Sequence, residues 1–176
     1  MGGLAQGNLA AASKTTGNEV SVQVKPDGTK LIQGPDGSSI QIQPDGTKLI
    51  QDTDGSSIQI DPNGAKMIKR SDGTTIQIKP DGTKLIHNPD GSSVQVQADG
   101  SKFIQDVDGS SIQVEPNGTK MIKKSDGTLV QIKPNGTKLI QHPDGSSIQI
   151  QPDGTKTIKR ADGTSVQVKP GQNTWD

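Results

Sequence analysis

Residues 29–46 read TKLIQGPDGSSIQIQPDG, and the same eighteen-residue phrase, lightly varied, continues to Lys169. Glycine closes each half of it. Gly28, Gly37, Gly46, Gly55, Gly64, Gly73, Gly82, Gly91, Gly100, Gly109, Gly118, Gly127, Gly136, Gly145, Gly154 and Gly163 stand nine residues apart, each preceded by Asp or Asn. Such dipeptides between short β-branched runs mark hairpin turns, because Gly adopts positive φ without steric cost. All eleven prolines, Pro26 to Pro170, fall two places before a glycine position of the register. Proline inside a central strand would delete a ladder hydrogen bond, so this phase is turn. Each unit therefore reads as six strand residues and a three-residue loop, which gives seventeen short strands.

Odd and even units differ, and that difference selects the turn. Thr29-Lys30-Leu31-Ile32-Gln33-Gly34 alternates with Ser38-Ser39-Ile40-Gln41-Ile42-Gln43. A type I turn with Pro second, Asp third and a left-handed Gly as a G1 bulge leaves six paired residues per strand and inverts the side-chain phase between neighbours. The phase then places Ile32, Ile40, Ile50, Ile58, Ile68, Ile76, Ile86, Val94, Ile104, Ile112, Ile122, Val130, Ile140, Ile148, Ile158 and Val166 in one row, every member Ile or Val. On the same face Lys30, Lys48, Lys66, Lys84, Lys102, Lys120, Lys138 and Lys156 alternate with Ile or Val such as Ile42 and Ile60. Lysine stems can lie along such a row with their ammonium groups in water. The other face carries Leu31, Leu49, Met67, Leu85, Phe103, Met121, Leu139 and Thr157 between glutamines such as Gln95 and Gln113. Neither face is dry enough to pack on a second sheet, so the expectation is an all-β, long, single-layer antiparallel meander with both faces in solvent.

Composition agrees. Of 176 residues, 22 are Gly and 11 Pro, with one Phe, one Trp and no Tyr. Hydrophobic residues make up only 27%, and eighteen Ile with ten Val dominate them. That content suits a pleated surface and cannot furnish an ordinary core. With no Cys there are no disulfides and no thiolate sites. Nineteen basic residues cancel nineteen acidic ones, which argues against a nucleic-acid partner. No apolar run approaches a bilayer span, and Met1-Gly2-Gly3-Leu4-Ala5-Gln6-Gly7 lacks the regions of a signal peptide, so no membrane partner and a cytoplasmic address are expected.

The chain divides into a flexible lead-in at 1–18, the repeat sheet at 19–170 and a tail at 171–176. A period of 54 overlies the repeat: the acidic hairpin of Asp52 and Asp61 is answered by Asp106 and Glu115, and the basic one of Lys69, Arg70 and Lys79 by Lys123, Lys124 and Lys133. Neighbouring hairpins of opposite sign favour in-register pairing weakly, unless solvent simply screens them. The terminal strands offer Val20, Val22 and Val24 at one edge and Val166 and Val168 at the other. Either these edges associate end to end with further copies, or the lead-in and tail cover them.

Catalytic chemistry is absent from the pattern. His87 and His142 stand far apart and there is no Cys nucleophile, so no enzyme, metal or cofactor is expected. Asp-Gly at nine-residue spacing resembles the calcium β-roll, but that loop needs a further Asp and Gly pair. The lysine row lacks the interleaved aromatics that stack bases. Phe103, the one aromatic of the sheet, lies between Gln95 and Gln113 in a row shared with Leu85 and Met121. Aromatics anchor interfaces, so a peptide crossing this face is one reading, and drift within a Leu/Met position is the other.

The Pro-Asp-Gly-Thr units at 26–29, 44–47, 80–83 and 152–155, with Asn-Gly variants between them, resemble the T-complex-protein (TCP) or G-box domain at the C terminus of CPAP-type centriole assembly proteins over roughly 20–170. The resemblance implies a long single-layer sheet and end-to-end association. It also implies a partner, the proline-rich segment of a centriolar scaffold protein, contacted by sheet aromatics, and a place at the centriole, basal body or cytoskeleton. The functional expectation is a non-enzymatic scaffold or protein-interaction module. The alternative of a different class is an exported repeat protein, either a calcium-stabilised β-roll or an adhesin.

Overall fold

A computed structural model describes residues 19–171, and the expected lead-in, with all of the tail beyond Gly171, lies outside them. Two compact units divide between Pro80 and Asp81. The first contains β1 (Ser21–Val24), β2 (Lys30–Gln33), β3 (Ser39–Ile42), β4 (Lys48–Gln51), β5 (Ser57–Ile60), β6 (Lys66–Lys69) and β7 (Thr75–Ile78). The second contains β8 (Lys84–His87), β9 (Ser93–Val96), β10 (Lys102–Gln105), β11 (Ser111–Val114), β12 (Lys120–Lys123), β13 (Leu129–Ile132), β14 (Lys138–Gln141), β15 (Ser147–Ile150), β16 (Lys156–Lys159) and β17 (Ser165–Val168). Within each unit every strand pairs antiparallel with its sequence neighbours, in one layer. Within neither unit do the described residues form the two-layer roll considered from sequence.

The turns are those the Pro-Asp-Gly phase demands. All sixteen register glycines have φ between 82° and 93°. At the first turn the Gly28 N–H donates to the Lys25 carbonyl at 2.9 Å and the Lys25 N–H to the Thr29 carbonyl at 2.8 Å. That pair of bonds defines a type I turn with a G1 bulge. The Asp27 Oδ1 accepts the Thr29 N–H at 2.9 Å, and where Asn replaces Asp the bond persists, as from Ala65 N–H to Asn63 Oδ1 at 2.9 Å. The regular ladder covers four residues per strand instead of the six expected. The outer two positions, such as Lys25 and Thr29, spend their backbone groups closing the turn.

The expected register forms. Val22, Ile32, Ile40, Ile50, Ile58, Ile68 and Ile76 oppose one another in the first unit. Ile86, Val94, Ile104, Ile112, Ile122, Val130, Ile140, Ile148, Ile158 and Val166 do so in the second. Among the described residues no apolar side chain is buried, and the most enclosed residues are Thr29, Thr74, Thr119, Thr128 and Thr155, each following a turn glycine. Four of these glycines have a proline ring from the next turn on the same side against them: Pro44 on Gly28, Pro134 on Gly118, Pro143 on Gly127 and Pro170 on Gly154. Burial in this protein therefore peaks along the stacked turns and not along the Ile row.

With contacts limited to neighbouring strands, stability is a sum of hairpin terms. Excision of residues 47–64, which joins Gly46 to Ala65 in unbroken register, is expected to leave the circular dichroism per residue unchanged. The melting temperature should fall by only a few degrees.

Candidate functional site

One face of each unit presents the Leu/Met/Phe and Gln row. In the second unit Phe103 opposes Gln95 and Gln113, Gln113 opposes Met121, and Met121 opposes Gln131. Residues from β10 to β14 line a shallow depression of about 280 Å³ that includes Phe103, Gln113, Met121, Leu129, Gln131 and Gln141. Phe103 is 39% exposed, and Met121 and Leu129 are 43% exposed, so three large apolar groups face solvent across four strands.

Of the residues expected from sequence, the structure brings Phe103, Gln113 and Met121 together here. Leu85 and Gln95 stay in the same row, as a cross-strand pair, but do not line the depression. Leu129 was not expected. It stands where the other strands of its phase carry Ser39, Ser57, Thr75, Ser93, Ser111, Ser147 and Ser165, and that departure was the available signal. Fifty-four residues earlier the equivalents of Phe103, Met121 and Leu129 are Leu49, Met67 and Thr75. The two replacements therefore distinguish the second unit's face from the first's.

The sheet edges are open among the described residues. β1 pairs with β2 alone and β17 with β16 alone. Val20, Val22 and Val24 are about half exposed, Val166 is exposed, and Val168 is partly covered.

Charge is organised by the turns. After every Lys-bearing strand the turn carries Asp without exception: Asp36, Asp54, Asp72, Asp90, Asp108, Asp126, Asp144 and Asp162. All eight carboxyls are held below the usual range by the residue two places on. For most of them the Ser or Thr hydroxyl is the larger cause and the backbone N–H the second, as Ser38 is for Asp36. The order reverses for Asp72 and Asp126, each capped by Thr. The opposite side mixes Asp27, Asp45, Asp81, Asp99 and Asp153 with Asn63, Asn117 and Asn135. The acidic groups of the acidic hairpins serve local bonds: Asp52 and Asp106 accept the next N–H at 2.8 Å, and Asp61 accepts Gln59 Nε2 at 2.9 Å. Among the described residues no group of three His, Asp or Glu side chains is placed to hold a metal ion.

An open, one-layer sheet with side chains displayed in rows and a local apolar depression is a repeat display surface of the β-meander class. It resembles the TCP (G-box) domain of CPAP-type proteins in both repeat and fold. The family model described as the T-complex protein 10 C-terminus matches residues 122–147 and 134–168. The TCP10 domain of Danio rerio CPAP in complex with a peptide of Danio rerio STIL is 23% identical at a TM-score of 0.59, covering 86% of this chain and 99% of that one. The G-box domain of the microcephaly protein CPAP is 25% identical at a TM-score of 0.61, covering 81% and 99%. The SAS-4 TCP domain of Drosophila melanogaster, in complex with a proline-rich motif of Ana2, is 22% identical at a TM-score of 0.56, covering 88% and 97%. No curated protein matches the sequence.

Proposed function

We propose that the chain is a non-enzymatic scaffold and protein-interaction module of the centriole, basal body or cytoskeleton that receives a proline-rich peptide on the Phe103, Met121 and Leu129 face. The supporting observation is the exposed apolar depression, on a fold whose solved relatives include complexes with a STIL peptide and a proline-rich Ana2 motif. A polyproline II helix advances about 9.3 Å per three-residue turn. Positions on alternate strands recur every 9.6 Å or so, which lets every third peptide residue meet the row. Gln113, Gln131 and Gln141 supply amide donors for the peptide's carbonyls, and Phe103 supplies a flat ring for a pyrrolidine, as in other aromatic-lined proline grooves. The open edges at β1 and β17 extend the same reading to end-to-end association of copies through Val20, Val22, Val24, Val166 and Val168.

The test is titration of the chain with a fluorescently labelled proline-rich peptide of the Ana2 or STIL type. Phe103→Ala and Leu129→Ser are each expected to weaken binding about tenfold, in the range of interface anchors, with thermal unfolding unchanged. Leu49→Phe with Thr75→Leu should create a second, equivalent site. Equal affinity of Phe103→Ala, Leu129→Ser and the parent would remove the site.

A further inference from the structure

Of the asparagines in the chain, Asn63, Asn117 and Asn135 alone are followed by glycine, and all three are exposed. From the way each turn is held, we infer that Asn135 is a site of spontaneous deamidation, that its conversion to aspartate leaves the turn intact, and that Asn117, in the same kind of turn, is guarded.

Deamidation of this kind is an acyl transfer within the chain. The glycine nitrogen loses its proton to solvent base and attacks the asparagine Cγ. A C–N bond forms and closes a five-membered imide, the Cγ–Nδ2 bond breaks, and ammonia leaves. Water then opens the ring at one of its two carbonyls, giving aspartate or isoaspartate. The turns oppose the first step, because the N–H of Gly64, Gly118 and Gly136 donates to the carbonyl of Asp61, Glu115 and Lys133, each at 2.9 Å. A type I turn also holds ψ of its third residue at about 0°. Ring closure needs ψ rotated until the glycine nitrogen eclipses Cβ. The reaction therefore proceeds through local opening, and the turn that opens most readily reacts first. At the thirteen Asp-Gly turns an ionised carboxylate is a poor electrophile at neutral pH, and Asn88 is followed by Pro89, which has no N–H to lose.

The surroundings sort the three turns. A Cβ on Gly64 or Gly136 would meet nothing within 4 Å, whereas on Gly118 it would lie 3.9 Å from the Pro134 Cγ. Thr119, directly after Gly118, is 8% exposed, but Ala65 and Thr137 are only half-buried. Asn117 Oδ1 accepts the Thr119 N–H at 2.7 Å, and its Nδ2 donates to Glu115 Oε2 at 3.3 Å. Asn63 and Asn135 accept the equivalent N–H at 2.9 and 3.0 Å. Charge then separates the two open turns. Lys133, two places before Asn135, favours the anion that forms on the glycine nitrogen, and Asp61 and Glu115 in that place disfavour it. The lysine three places after, Lys66, Lys120 or Lys138, is common to all three.

The aspartate product has counterparts in the same molecule. Residues 133–137 differ from residues 25–29 and 79–83, Lys-Pro-Asp-Gly-Thr, only at Asn135. There Asp27 and Asp81 accept the N–H of Thr29 and Thr83 at 2.9 and 2.8 Å. Isoaspartate instead adds a methylene to the backbone inside the ring closed by the Lys133 N–H and the Thr137 carbonyl at 2.9 Å, so that product breaks the turn.

The test keeps the full chain at neutral pH and constant temperature for weeks. Trypsin then isolates each asparagine in its own peptide, residues 49–66, 103–120 and 125–138. Mass spectrometry should show Asn135 converting first, Asn63 severalfold more slowly and Asn117 about tenfold or more behind Asn135. In urea all three rates should rise and draw together. Glu115→Gln should speed Asn117 severalfold, and Lys133→Gln should slow Asn135 to the rate of Asn63. Asn135→Asp should melt with the parent chain. Equal rates in the folded chain, Asn117 ahead of Asn135, folded rates matching those in urea, or a clearly lower melting temperature for Asn135→Asp would each overturn the inference.

Discussion

Gly127→Ala and Gly154→Ala are expected to destabilise the second unit more than Gly136→Ala does, although all three glycines occupy the same turn position. Their φ values, 85°, 84° and 88°, lie where an L side chain meets its own backbone. Alanine there costs about 1–2 kcal/mol at each site. Their surroundings differ. A Cβ on Gly136 would enter open space, but on Gly127 it would stand 3.1 Å from the Pro143 Cγ, and on Gly154 3.0 Å from the Pro170 Cγ. These rings are fixed in turns of their own and cannot rotate aside, so the stacked turns must part. Thr128 and Thr155, two of the most enclosed residues, lie directly after these glycines and would lose their cover. Urea unfolding should therefore show the 1–2 kcal/mol loss for Gly136→Ala and a larger one for the other two. Pro143→Ala in the Gly127→Ala background should restore the difference. Equal losses at all three sites would mean that the turns do not support one another along the side of the sheet.

This stacking was the part of the fold least visible in the sequence. Glycine at nine-residue pitch and proline at one phase are local facts, and they dictate a local object, the G1-bulged turn. The alternation of Thr-Lys-Leu-Ile with Ser-Ser-Ile-Gln then decides the register, because a one-residue slip would set the Ile row against the Gln row. Pairings such as Ile104 with Ile112 follow. That Pro143 touches the turn of Gly127 depends on the sheet's twist and on which turns share a side, and no single repeat encodes that. The site was legible to the degree that it breaks the repeat. Phe103 stands out by residue type. Leu129 is an ordinary residue in an unusual position, visible only by comparison with Ser111 and Ser147 in the same phase. Leu85 and Gln95 share a row with Phe103, but the depression extends the other way, past Leu129 to Gln141 on β14.

Acidification should unfold the sheet through its turns. Eleven aspartates, the eight that follow the Lys-bearing strands together with Asp27, Asp99 and Asp153, have carboxyls lowered by bonds from the Ser or Thr two places on. In the unfolded chain those bonds are gone and the groups titrate near the ordinary value of about 3.9. A carboxyl whose folded value is depressed binds fewer protons in the folded state. Its stabilisation is therefore complete above the unfolded value and is lost as pH falls through the folded one. Stability should be flat from neutrality to about pH 5 and decline steadily below pH 4. Lost carboxylates also unmask repulsion among the eighteen Lys and Arg from Lys25 to Lys169. Three turns report what the charge itself contributes. Asn63, Asn117 and Asn135 accept the same N–H at 2.9, 2.7 and 3.0 Å with nothing to titrate. Changing Asp90, Asp108 and Asp126 together to Asn should keep the turns and flatten the decline in melting temperature between pH 6 and pH 3. Changing them to Ala should lower stability at every pH while flattening the same slope. A parent chain whose melting temperature is the same at pH 3 and pH 6 would show that these carboxylates do not hold the turns, and that the phase set by glycine and proline is sufficient without them.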